Sequence, residues 1–407
     1  MTIYDAVVVG ARCAGSVVAG QLARGGWKVL LVDKARFPSD TVSTHFMFPN
    51  TLARLESLGI FERLHSRFKL PALRQRWRIL GYELSGDFTP IDGHSLGTSI
   101  RRIALDSVLV DWALDQGALA RFGEHVEGLI GTGTASDPVL GVILKDGEQI
   151  GARWVIGADG RTSSVASILD LEKKKPMSAE MAYLFAYWRG LPDSEISSID
   201  VHDDHSGLMW NPSEDGIHIL SLAGPPELTR GTNAERMNSY QLGLRGYPEV
   251  IDPHRLDAAQ MICDLVVVPE TMMRGFYRRS NGPGWVLVGD AGHFKHPSTA
   301  QGISDAIEQS IYVARALQGD DPHLEGFEIW RRDRSKGHYE WSFRYGGWPV
   351  PEVAHPYLQG LSTDPAATQD WLDVLTRVNS PSAVDTPERL AAWFGESASN
   401  RPEKFPG

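Results

Sequence analysis

The hexapeptide Gly10-Ala11-Arg12-Cys13-Ala14-Gly15 and the acid Asp33, 23 positions after Gly10, are the first residues able to do chemistry together. A dinucleotide site needs a tight turn after a strand, close backbone approach to a pyrophosphate and close packing of the next helix, and a glycine serves each need. Gly10 and Gly15 hold the first and third of these places. Arg12 replaces the middle glycine, and a guanidinium there suits neutralisation of a pyrophosphate beside a helix N-terminus. Asp33, with Lys34 beside it, stands where a carboxylate accepts ribose hydroxyls. Asp159-Gly160 follows the apolar run Trp154-Val155-Ile156, and Asp290 follows Trp285-Val286-Leu287-Val288. Both acids fall just past the C-terminal ends of buried strands, the crevice in which α/β sheets hold ligands. The turn from Pro297 to Ile303 enters a helix at Gly302, where backbone N–H groups face an electron-rich ligand edge. Each motif alone is also an ordinary turn; their order and spacing make the set specific.

These residues require particular elements. Ile3–Val9 reads as a strand buried on both faces, Ser16–Arg24 as a helix ended by Gly25-Gly26, and Trp27–Val32 as a second strand. That β-turn-α-β unit begins a parallel sheet. Farther on, 101–117 and 299–317 show helical spacing, whereas 76–82, 88–91, 126–129, 139–144 and most of 182–263 read as short strands. The expected fold class is α/β: a Rossmann-like nucleotide-binding domain from residues 1–72, 99–178 and 270–345, with an inserted mixed β-sheet substrate domain from 73–98 and 179–269. A short helical C-terminal tail, 346–407, carries helices near 366–378 and 387–394.

Composition narrows the function. The 407 residues carry a net charge of −11 without a basic block, a field that disfavours nucleic-acid binding. Two distant cysteines, Cys13 and Cys263, exclude a disulfide framework and a cysteine-rich zinc site. His202, Asp203, Asp204 and His205 are adjacent, so an extended backbone turns them to opposite faces, and no metal is expected. No apolar run approaches the roughly 18 residues that span a bilayer, and the N-terminus lacks a basic leader, so a cytoplasmic location is expected.

Gly-Ala-Arg-Cys-Ala-Gly with Asp33, Gly-Ala-Asp-Gly-Arg-Thr-Ser-Ser-Val from Gly157, and the stretch from Gly289 to Ser304 resemble the three fingerprints of FAD-dependent class A monooxygenases, the para-hydroxybenzoate hydroxylase-like fold. The opening hexapeptide resembles one bacterial subgroup. The resemblance implies that Gly10, Arg12, Cys13, Ala14 and Gly15 line the FAD pyrophosphate and Asp33 the ribose. Arg102 then reaches the ribityl phosphate, Val126 contacts adenine, and Asp159-Gly160 serve FAD and the reduced nicotinamide. Asp290 holds the ribityl hydroxyls, and Gly302-Ile303 meet the isoalloxazine. The implied reaction uses NAD(P)H and O2 to hydroxylate an aromatic or polycyclic small molecule through a flavin C4a-hydroperoxide, which explains why no catalytic triad is evident. His45, in a segment beside the flavin by this resemblance, is a candidate to orient or deprotonate a phenol, and Pro297 to shape the reactive loop. Tyr183, Phe185 and Trp210 are candidate walls for a flat substrate. A double-bond reductase similar to geranylgeranyl reductase, a flavin-dependent halogenase and a non-catalytic flavin-binding module remain alternatives.

Overall fold

The computed structural model describes residues 3–178, 180–319 and 321–395. The central sheet has its main path in the order Asn281–Gly282, Trp285–Leu287, Gln149–Gly157, Ile3–Val9, Val29–Asp33, Leu119–Phe122, with a β-hairpin, Val126–Ile130 and Gly141–Leu144, paired to Gln149–Gly157. Its inner strands are parallel and buried, which explains their uninterrupted Val, Ile and Leu. Register brings the motifs together. Val9 pairs with both Val32 and Gly157, and Gly157 with Leu287, so the turns at Gly10, Asp33, Ala158-Asp159 and Gly289-Asp290 leave one edge side by side.

The first turn depends on glycine. Gly10 has φ +102°, and a Cβ there would lie 2.5 Å from the Ala158 carbonyl oxygen. A Cβ on Gly15 would lie 1.6 Å from the Gly10 oxygen, so the helix Cys13–Arg24 approaches the strand as closely as backbone permits. That helix packs between Gly302–Gln318 and Arg102–Asp115.

A second sheet runs Gln260–Met261, Ala182–Arg189, Ile217–Gly224, Gly207–Pro212, Ile196–Val201, Arg74–Ile79, Tyr82–Gly86. Strand alternation divides its residues. Leu184, Ala186, Trp188, Leu220 and Leu222 pack with Tyr240 and Leu244 of the helix Asn233–Arg245, whose N-terminus carries a capping box between Thr232 and Glu235. Tyr183, Phe185, Gln75, Trp77 and Ile199 face a cavity on the other side.

Two details differ from the sequence reading. The strand expected at 88–91 lies at Tyr82–Gly86, where it completes a tight hairpin with Arg74–Ile79. The C-terminal segment also holds a third helix, Pro351–Thr363, whose prolines read as breakers; Pro351 occupies its first turn, where a missing N–H costs nothing. Pro351–Thr363 and Pro365–Thr376 pack on Tyr82–Gly86 around Trp77, Trp341, Tyr357 and Trp371. The rings of Trp77 and Trp371 meet edge to face at 5.0 Å. The expected tail is thus a packed layer up to residue 395; residues 396–407 lie outside the described residues.

Candidate active site

One cavity of about 630 Å3 runs from the glycine turn to the inner face of the second sheet. At its nucleotide end, Asp33 is 8% exposed and accepts N–H bonds from Ala11 (2.6 Å) and Ala35 (2.7 Å). These bonds fix the carboxylate at the wall and leave lone pairs for a ligand hydroxyl. Lys34 and Val126 border the same end.

Arg12 and Arg102 converge on one buried carboxylate. Arg12 Nη1 lies 2.8 Å from Asp106 Oδ2 and also reaches the Ser39 carbonyl, while Arg102 Nη2 lies 2.9 Å from both Asp106 oxygens. Two guanidinium charges against one carboxylate leave one net positive charge at the wall beside Gly10, suited to a pyrophosphate. Arg12 is therefore a fixed, partly neutralised cation held by the 39–40 loop. Burial pushes the Cys13 thiol up to about 12, so this residue lines the wall as a neutral group.

Asp159 Oδ2 accepts from the Ser164 N–H, the Ser164 hydroxyl and the Val165 N–H. Its Oδ1 is buried with no partner among the described residues, an acceptor presented by a residue of the cavity wall. Gly160 follows in the left-handed region, φ +77°. Asp290 is part-buried at the wall, and burial, reinforced by Asp305, pushes its carboxyl up to about 6.

The turn beyond it is braced from outside the motif. Pro297–Thr299 forms a 3-10 turn and the helix Gly302–Gln318 begins three residues later. Gln301 donates to the carbonyls of Val374 and Leu375, both at 3.1 Å, and the Ser298 hydroxyl donates to the Ser342 carbonyl. Lys295 Nζ lies 2.5 Å from Asp305 Oδ2, and Arg377 binds Asp305 and Glu308. A Cβ built on Gly302 meets no protein atom within 4 Å. Space within the protein therefore does not demand glycine there, and the position opens on the cavity. Together with the orphan oxygen of Asp159 and the net positive wall, this open cradle fits FAD.

The remaining predicted residues divide. Pro297, Tyr183, Phe185 and Gly302-Ile303 border the cavity. Trp210 occupies the opposite face of its strand and donates to His218 Nδ1 at 3.1 Å; its neighbours Met209 and Asn211 face the cavity. His45 is fully buried behind the wall, with Nε2 3.4 Å from the Tyr187 hydroxyl, and burial pushes it down to about 3. It is a neutral packing group at physiological pH. Lys295, Gln301, Asp305 and Arg377 escaped the sequence reading. Lys295 is visible in the Gly-Asp-Ala-Gly-His-Phe-Lys-His run, but Arg377, which shares the carboxylate of Asp305 with it, lies far along the chain. No cluster of metal-ligating groups occurs among the described residues; His202 and His205 stack on Tyr247 and Trp348.

Comparison with known proteins agrees with this geometry. The chain is 27% identical over 325 residues to menaquinone reductase of Mycolicibacterium smegmatis, covering 78% of this chain and 76% of that protein. It is 28% identical over 321 residues to rifampicin monooxygenase of Streptomyces venezuelae, covering 78% and 64%. The flavin-dependent brominase Bmp2 superposes with a TM-score of 0.77 at 17% identity, over 99% of this chain and 100% of that one. Residues 3–320 match the FAD binding domain family; the chain belongs to that family and has the class A flavoprotein monooxygenase fold.

Proposed function

We propose that this flavoprotein is an FAD-dependent monooxygenase that hydroxylates an aromatic or polycyclic small molecule, with NAD(P)H as transient reductant and O2 as co-substrate. The observation that carries this reading is the single cavity in which a flavin cradle at Gly302 opens onto the aromatic face of Tyr183 and Phe185. Bound flavin supplies hydride acceptance and oxygen activation. The chain supplies the rest. Asp33 would hold the adenosine ribose, Arg12 and Arg102 the phosphates, and Asp290 the ribityl hydroxyls. The braced turn from Pro297 would fix where the reactive edge meets the substrate, and the apolar wall of Phe46, Phe48 and Trp77 excludes water.

A second reading, double-bond reduction, is favoured by one feature. The cavity extends between the second sheet and the helix Pro351–Thr363, past Ile79, Val201, Ala354 and Leu358, into an apolar arm. Similarity to menaquinone reductase points the same way. The two readings separate in one experiment: flavin reduction by NAD(P)H without oxygen, across phenols, polycyclic quinones and prenylated quinones, followed by addition of O2. Product formed only after O2 supports hydroxylation. A hydrogenated product formed before O2 contradicts it and supports reduction.

A further inference from the structure

A second pocket, of about 320 Å3, adjoins the Asp159-Gly160 turn and is bounded by Arg161, Thr162, Ser167, Asp170, Lys173 and Arg278. Arg161 and Thr162 also border the flavin cavity, so the two spaces share a wall. Sheet register builds the pocket. Lys174 pairs with Tyr277 in an antiparallel ladder, which sets Lys173 beside Arg278, and Phe276 of the same strand pairs with Phe294. The Lys173 ammonium and the Arg278 guanidinium stand 4.7 and 4.4 Å from the Phe276 ring, and the Arg161 guanidinium 5.8 Å from the Phe294 ring.

None of these three cations forms an ion pair among the described residues. Arg161 donates to the Met272 carbonyl, and Arg278 to the carbonyls of Ala291 and Arg161. Carbonyls fix a guanidinium plane without neutralising it. Lost hydration, and then the charges of Arg278 and Arg161, pull Lys173 below its ordinary value. Asp170 is the one acid among the lining residues, so three positive charges face one carboxylate in a chain of net charge −11. Lys173 is exposed and Arg161 part-buried, so both present their charge to solvent; Arg278 is buried and adds its charge from beneath. Converging like charges repel, and an anion relieves the cost. Arg12 and Arg102 already serve the flavin phosphates at the Gly10 wall, which leaves this pocket for a second phosphate.

We propose that the pocket of Arg161, Lys173 and Arg278 binds the 2′-phosphate of the reduced nicotinamide dinucleotide, so that the protein selects NADPH over NADH. A terminal phosphomonoester carries about −1.5 to −2 charges at pH 7 on three free oxygens, whereas each phosphate of the pyrophosphate carries a single charge. Three cations gathered in one small pocket match the monoester. The shared wall at Arg161 and Thr162 keeps the same ligand next to the flavin cavity. This rests on the reading of the protein as a flavoenzyme reduced by a nicotinamide, and it holds for hydroxylation and double-bond reduction alike.

Titration calorimetry on oxidised, FAD-loaded protein at low ionic strength tests the assignment without turnover. The probes are NADP+ with NAD+, and adenosine 2′,5′-bisphosphate with 5′-AMP. The wild-type protein should bind the 2′-phosphorylated member of each pair at least about tenfold more tightly, and added salt should shrink the preference. In Lys173→Gln the preference should fall to about threefold or less, with NAD+ affinity and FAD content unchanged, while Lys173→Arg keeps it. Lys173 is exposed, so this variant tests charge without disturbing a buried group. No preference in the wild type, or full preference in Lys173→Gln, overturns the proposal. Equal weakening of NADP+ and NAD+ in Lys173→Gln also overturns it, since the charges then serve the shared pyrophosphate. Phosphate-selective binding through Lys173 with no reduction of the flavin by NADPH would keep this inference and remove the oxygenase reading.

Discussion

Asp290 carries an electrostatic cost that makes its role measurable. Burial with Asp305 nearby raises its carboxyl from 3.8 to about 6, so between about pH 4 and 6 the folded apoprotein binds more protons than the unfolded chain. Stability from this group therefore falls as pH rises through that window and stays reduced above it. Asp290→Asn should raise apoprotein stability at pH 8 by about 1–3 kcal/mol, with little effect near pH 4, while weakening FAD retention. Thermal melts with and without FAD check both halves; a destabilised apoprotein at pH 8 would contradict the account. Gly302 gives a parallel test. Because its Cβ would meet no protein atom, Gly302→Ala should leave the apoprotein as stable or about 0.5–1 kcal/mol more stable, and still impair FAD seating. Gly302→Val should impair seating further, and normal FAD affinity in both would show that no ring system approaches this position.

At the scale of elements, the turn from Pro297 to Ile303 is positioned by a buried ion cluster. Although burial disfavours its charge, Arg377 and Lys295 hold the Asp305 carboxyl well below the usual range. Its stabilisation is complete above about pH 4 and is lost as pH falls through the folded-state value. Asp305→Asn should cost about 3–5 kcal/mol by leaving Lys295 without its carboxylate, seen as a lowered melting temperature that converges with wild type in acid. Pro297→Ala should keep FAD but relax the loop, and a displacement of about 1 Å can cost on the order of 100-fold in rate. NAD(P)H would then be consumed with hydrogen peroxide in place of product; unchanged coupling would remove the turn from the active site. What could be read from sequence here follows from range. Gly10, Asp33, Asp159 and Asp290 declare themselves because each sits in a local strand-turn context. Lys295 and Arg377 do not, because they meet around Asp305 only once the C-terminal helices fold back. Trp210 shows a second limit: alternation along its strand is legible, but which phase faces the cavity is decided by the helix packed on the other side.

For the whole molecule, register explains how separated segments build one cavity: the paired ends at Val9, Val32, Gly157 and Leu287 bring three motifs to one sheet edge. The second sheet and the C-terminal helices then enclose the space beyond the flavin cradle. Leu358 lies on the far wall, so Leu358→Trp should shorten the apolar arm. It should lower kcat/KM for large polycyclic substrates at least about tenfold while sparing single-ring ones, a volume effect of the size seen for an overfilled pocket. Equal losses for both would place the substrate elsewhere. The central claim, that one cavity couples a flavin to oxygen insertion, is tested most directly by turnover under isotopically labelled O2. The account predicts one labelled oxygen atom per product molecule, with one NAD(P)H consumed for each. Product free of label, or product formed equally well without oxygen, would contradict it.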